Sequence, residues 1–199
     1  MEKKLLQHPI NVVKIVLFGP ESTGKTTLSK QLARHYNTVW APEFAREYLQ
    51  KKWNNERKTC ESKDLIPIAL GQMKLENKLA KKADKILICD TDLLETKVYS
   101  EEFYGFVDQQ LNEAAKQNEY DLYLLTYIDT PWEEDDLRDR PEQRLEMFNA
   151  FEEALQKNKK NYLLLKGNKE TRFKKAITAI NAIVNKKENL FSYSNAIEY

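Results

Sequence analysis

The chain has little from which to build a disulfide or metal framework. Its 199 residues include two cysteines, Cys60 and Cys89, and two histidines, His8 and His35. Cys89 lies in an apolar run and reads as a small buried hydrophobe, and Cys60 sits in a polar loop. Neither belongs to a zinc or disulfide spacing, and the histidines have no partner pattern. No apolar run approaches the ~20 residues of a membrane span. The stretch from Met1 to Pro9 lacks the apolar centre of a signal peptide. An excess of one charge is also missing: 32 Lys and Arg face 31 Asp and Glu, a formal net charge of +1. No general pull toward nucleic acid or a membrane follows. Repeats, linkers and low-complexity segments are absent too. What remains is one domain over 1–186, followed by a tail over 187–199 without clear periodicity.

Hydrophobic residues make up 41% of the chain and charged residues 32%, a globular balance. Five short apolar runs stand out: 12–18, 38–41, 85–89, 121–127 and 162–166. They are continuous rather than alternating, as strands covered on both faces are. Between them the apolar period changes to that of helices. Leu28, Leu32 and Tyr36 form one stripe, Leu145, Phe148, Phe151 and Leu155 another, and Phe173, Ala176, Ile177, Ile180 and Ile183 the last. A longer helix runs from Leu65 to Ala83, with Pro67 tolerated near its first turn. Alternating strands and helices predict an α/β fold, a three-layer α/β/α sandwich around a five-stranded parallel sheet. Ligands of such sheets bind beyond the carboxyl ends of the strands.

The first such end carries Gly19, Pro20, Glu21, Ser22, Thr23, Gly24, Lys25 and Thr26, a full match to the phosphate-binding pattern G-x-x-x-x-G-K-[ST]. A strand precedes it and a helix opening at Thr27 follows, the context the motif needs. The glycines let backbone N–H groups wrap a phosphate, and the helix N-terminus adds a favourable dipole. Lys25 would reach the β- and γ-phosphates and the Thr26 hydroxyl would ligate Mg²⁺. These parts imply ATP and Mg²⁺ as cofactors, and a nucleotide of that kind points to the cytoplasm.

The other strand ends supply carboxylates and arginines. Asp90 closes the third strand, where a metal-holding carboxylate belongs. Asp92 serves either substrate or the cap of the next helix. Glu43 and Arg46, three apart on one helix face after the second strand, suit a proton-accepting carboxylate and an orienting guanidinium. Arg138, Arg140 and Arg144 follow the fourth strand and predict a mobile lid that stabilises charge on a transferring phosphoryl group. Trp40 and Trp132 are candidates to stack on a planar ring. Asn168 and Arg172, after the fifth strand, are placed beside adenine.

These segments resemble the ribosylnicotinamide kinase family, in particular the kinase domain of bifunctional bacterial NAD-salvage proteins. The matching stretches are Phe18 to Lys25, Ala41 to Leu49, Cys89 to Asp92, Tyr120 to Leu125 and Pro131 to Arg144. The Pro-Glu-Phe-Ala-Arg-Glu-Tyr and Leu-Arg-Asp-Arg-Pro-Glu segments are the most particular. The resemblance implies a P-loop kinase with ATP as phosphoryl donor and nicotinamide riboside as acceptor. No H-x-G-H nucleotidyl-transfer segment is present, so adenylyl transfer is not expected, nor is the family's DNA-binding domain. Asp136 stands where the family pattern has a glycine in the lid approach. The partner expected is therefore a small nucleoside, with a homo-oligomer left open. The residues leave two other readings in place: a kinase for another hydroxyl acceptor, and a regulatory ATPase. The general base stays open among Glu43, Asp90 and Asp92.

Overall fold

The computed structural model describes residues 5–138 and 141–196, with side chains through 189. Its centre is β1, Val13–Phe18, buried along its whole length. β3, Ile86–Asp90, and β4, Leu122–Thr126, pair with it on either side, both parallel. β2, Trp40–Ala41, and β5, Tyr162–Leu165, form the edges, giving the order β2-β3-β1-β4-β5. The period of two along β1 splits its apolar residues between two cores. Ile15 and Leu17 meet α1, Lys25–His35, and α7, Lys169–Ala196. Val16 and Phe18 meet the opposite layer, which includes α3, Leu65–Ala80, α4, Leu93–Tyr104, α5, Gln109–Gln117, and α6, Arg144–Lys157. Both faces are covered, which is why the strand runs are apolar throughout. The remaining helix, α2, spans Phe44–Glu56 and packs on α3.

The expected three-layer P-loop fold is present, and the differences are local. β2 is two residues long rather than four. Only Trp40 and Ala41 join the ladder, Pro42 cannot continue it, and the Thr38 hydroxyl instead donates to the Ile86 carbonyl. α5 carries Leu111, Ala114 and Ala115 into the core, three small or medium side chains between polar ones, too faint a stripe to stand out in the sequence. The residues expected as a tail from 187 continue α7 to Ala196. There Lys187 pairs with Asp121 at 2.7 Å and Glu188 with Lys85 at 2.9 Å. No helix among the described residues is long and apolar enough to cross a membrane.

Candidate active site

The loop between β1 and α1 adopts the backbone its glycines allow. Gly19 has φ +133°, and a Cβ there would meet Thr126 Oγ1 at 2.8 Å and the Thr126 carbonyl at 2.9 Å. Gly24 is left-handed at φ 83° and caps α1 without a side chain, and no acidic residue sits in the first helical turn. The free N–H groups and the positive end of α1 are thus left for an anion. The Thr23 hydroxyl ties the loop down, donating to the Pro20 carbonyl at 2.7 Å and sharing a 2.7 Å bond with the Thr126 hydroxyl. Lys25 is folded beneath the loop, donating to the carbonyls of Gly19 at 2.5 Å and Pro20 at 3.0 Å.

Two carboxylates meet this loop. The Thr26 hydroxyl donates to Asp90 Oδ2 at 2.6 Å, while Asp90 Oδ1 is buried with no hydrogen-bond partner among the described residues. Burial, reinforced by Glu43, raises Asp90 to about 7 against the lowering effect of Thr26 and Lys25. A hydroxyl beside a half-satisfied carboxylate fits Mg²⁺, which takes one or two protein oxygens and completes its shell with water and phosphate. The second carboxylate, Glu95, was not singled out in the sequence. Its Oε1 lies 3.2 Å from Lys25 Nζ, and its Oε2 accepts the Gly19 N–H at 3.3 Å. Burial raises it to about 8, with Lys25 opposing and Glu43 adding to the shift. Burial pulls Lys25 down, but Glu95, Glu43 and Asp90 more than offset that and leave it raised. The only sequence signal for Glu95 is its place in the first turn after Asp92.

The loop opens into a cavity of about 1060 Å³. Part of its wall is the phosphate loop from Glu21 to Thr27 with Asp90 and Glu95, and part is apolar, with Leu49, Ile68, Tyr99 and Phe103. Glu43 and Trp40 line it too, and Lys30 lies 5.3 Å from the Trp40 ring centre. Arg46 and Arg138 also line it, joined through Asp135 at 2.9 Å and 3.1 Å.

Other expected site residues are committed elsewhere. Asp92, expected to bind substrate, is 1% exposed. It accepts the Glu95 N–H at 3.0 Å as the cap of α4 and the Tyr123 hydroxyl at 2.8 Å, so its carboxylate faces the core. Arg172, expected beside adenine, is 4% exposed. It donates to the carbonyls of Thr23 at 2.6 Å and Tyr127 at 2.8 Å and pairs with Asp129. It holds the phosphate loop from behind. Asn168 accepts the Thr171 N–H at 2.9 Å at the start of α7. Arg144 donates to the Thr130 carbonyl at 3.1 Å and the Ser22 carbonyl at 3.3 Å, and its guanidinium lies 5.6 Å from the Trp132 ring centre. Arg144 and Trp132 therefore brace the loop after β4 against the phosphate loop. Thr130 completes that junction, its hydroxyl donating to the Ser22 carbonyl at 2.8 Å. Arg140 lies outside the described residues.

Residues 14–172 match the family described as AAA domain. The chain belongs to this family. Among curated proteins it is similar to the trifunctional NAD biosynthesis/regulator protein NadR of Salmonella typhimurium, 30% identical over 130 residues, covering 65% of this chain and 32% of that protein. The protein of the same name from Escherichia coli is 29% identical over 152 residues, covering 75% of this chain and 37% of that protein. The chain thus spans about a third of the length of these relatives. They bear out the resemblance to bacterial NAD-salvage proteins. A crystal structure of NadR in complex with NR has a TM-score of 0.71 at 22% identity, covering 88% of this chain and 52% of that one. A deoxyadenosine kinase from M. mycoides with bound dATP has a TM-score of 0.60 at 19% identity, covering 85% of this chain and 99% of that one. At these identities the likeness is one of fold.

Proposed function

We propose that this AAA-family domain transfers the γ-phosphate of ATP to the 5′-hydroxyl of nicotinamide riboside, giving nicotinamide mononucleotide and ADP. The observation that carries phosphoryl transfer is one cavity that joins the phosphate loop and the Thr26–Asp90 pair to Glu43 and an apolar wall. The relatives named for NAD biosynthesis, and the solved NadR bound to NR, support this acceptor. The cytoplasm, where ATP is abundant, is the compartment the proposal assigns.

In this reading the loop N–H groups and the N-terminus of α1 bind the phosphates. Lys25 leaves the Gly19 and Pro20 carbonyls to reach them. Thr26 and Asp90 would hold Mg²⁺, whose charge offsets that of the phosphate oxygens. Of Glu43, Asp90 and Asp92, Asp92 lies in the core and Asp90 beside Thr26, which leaves Glu43 for the acceptor. It takes the 5′-hydroxyl proton as that oxygen bonds to the γ-phosphorus, and the bond to ADP breaks with its electron pair going to ADP. Arg138 at the cavity wall stabilises charge on the transferring group. Trp40 and the aromatic wall of Tyr99 and Phe103 suit a pyridinium ring.

The test is ADP release with nicotinamide riboside, deoxyadenosine and thymidine offered separately. The proposal expects turnover on nicotinamide riboside well above the other two. Robust turnover on thymidine with none on nicotinamide riboside would overturn the acceptor, and slow hydrolysis indifferent to every nucleoside would favour a regulatory ATPase.

A further inference from the structure

Gly71 lies in the middle of α3, where glycine is a poor choice for helix stability. The reason is Phe44, the first residue of α2. A Cβ at position 71 would sit 2.0 Å from Phe44 Cε1 and 2.3 Å from Cδ1, so the ring rests where a side chain would stand. The next residue, Gln72, is 2% exposed and accepts the Phe44 N–H through Oε1 at 2.8 Å. Its Nε2 is buried with no hydrogen-bond partner among the described residues.

That N–H belongs to the open end of α2, a group that a helix cannot satisfy internally. An acidic N-cap ordinarily turns back to accept N–H groups of the first turn. Glu43 is the N-cap of α2 and makes no such bond. It lines the cavity instead, close enough to Lys25 and Asp90 to act on their charges. Gln72 serves one of the helix-end donors from outside, and the bare backbone at Gly71 sets how closely the first turn approaches α3.

We propose that Gly71 and Gln72 are positioning residues for Glu43: they fix the first turn of α2 from α3 and so leave the Glu43 carboxylate pointing at the acceptor. The inference rests on the kinase reading above and concerns Glu43 rather than the identity of the acceptor.

Gln72→Met tests it, since it keeps the volume and helix propensity but removes the acceptor oxygen. Amide hydrogen exchange at Phe44 is expected to quicken at least tenfold in the variant. Acceptor kcat/KM is expected to fall about tenfold or more, with ADP affinity within twofold of wild type. In a Glu43→Gln background, Gln72→Met is expected to cost little further activity, because both changes act on the same carboxylate. Gly71→Ala should repeat the kinetic loss, and in a Phe44→Leu background it should cost far less. Unchanged Phe44 exchange overturns the inference. So does faster exchange with unaltered acceptor kinetics, or an equal loss of ADP affinity, which would mark a general structural defect. Absence of wild-type turnover on nicotinamide riboside sinks the acceptor reading alone, and the same comparison is then made on deoxyadenosine or thymidine. If the wild type phosphorylates none of the three, the positioning role falls with the kinase reading.

Discussion

Glu95 Oε1 lies 3.2 Å from Lys25 Nζ, and both side chains are nearly inaccessible to solvent. Burial lifts the Glu95 carboxyl from 4.5 to about 8, so the folded chain keeps a proton that the unfolded chain has already released. The folded state binds more protons across that interval, and stability must fall as pH rises through it. Glu95→Gln removes this titration. The difference in Tm, variant minus wild type, should become more positive from about pH 5 to about pH 8 and then level off. Thermal unfolding of both proteins across that range checks it, and a difference independent of pH would contradict it.

Asp92 joins the start of α4 to Tyr123 in β4. Asp92→Ala removes a helix cap and leaves a buried phenol without its acceptor, each a loss of about 1 kcal/mol or more. Chemical denaturation should show a destabilisation of roughly 2–3 kcal/mol. The KM for the acceptor, measured below the unfolding transition, should stay within about twofold of wild type, a change of less than ~0.5 kcal/mol. A large rise in KM with stability intact would restore Asp92 to the substrate side.

Arg172 reaches the Thr23 carbonyl from α7 and is held by Asp129, which also accepts the Gly167 N–H at 2.6 Å. The conformation of the phosphate loop thus depends on a residue about 150 positions away in sequence. Arg172→Gln should weaken ADP binding about tenfold, the equivalent of ~1.4 kcal/mol. Arg138→Gln, altering a cavity-wall arginine, should lower kcat instead while ADP affinity holds. Calorimetric ADP titrations beside steady-state rates separate the two, and identical profiles would contradict the division of roles.

Much of this was legible because it is local. The phosphate loop is contiguous, and its strand and helix flank it at fixed distances. The three central strands announce themselves through apolar runs buried on both faces, as β1 is from Val13 to Phe18. Glu43 and Asp90 are legible as candidates because the carboxyl edge of a parallel sheet gathers functional groups. What escaped depends on distance in space. Arg144 reads as a lid arginine and Arg172 as a neighbour of adenine in sequence, yet they hold the Ser22 and Thr23 carbonyls. Asp92 satisfied a capping pattern and a functional one equally, and only the position of Tyr123 decides between them. Glu95 resembles any acidic residue in a first helical turn, and its meaning comes from Lys25. Gly71 gave no turn signal because its role is to let an aromatic ring approach a helix.

In the proposed reaction the phosphate loop and Glu43 serve one transfer of a phosphoryl group to nicotinamide riboside. Its most direct test is the rate of nicotinamide mononucleotide formation from ATP and nicotinamide riboside by wild type and Glu43→Gln, with Lys25→Ala as the loop control. Wild type should form product steadily, and Lys25→Ala none above background. Glu43→Gln should lose at least about a hundredfold in kcat/KM, within the ~10²–10⁴-fold contribution of general acid–base catalysis. Full activity and affinity in Glu43→Gln, or no nicotinamide mononucleotide from the wild type, would contradict it.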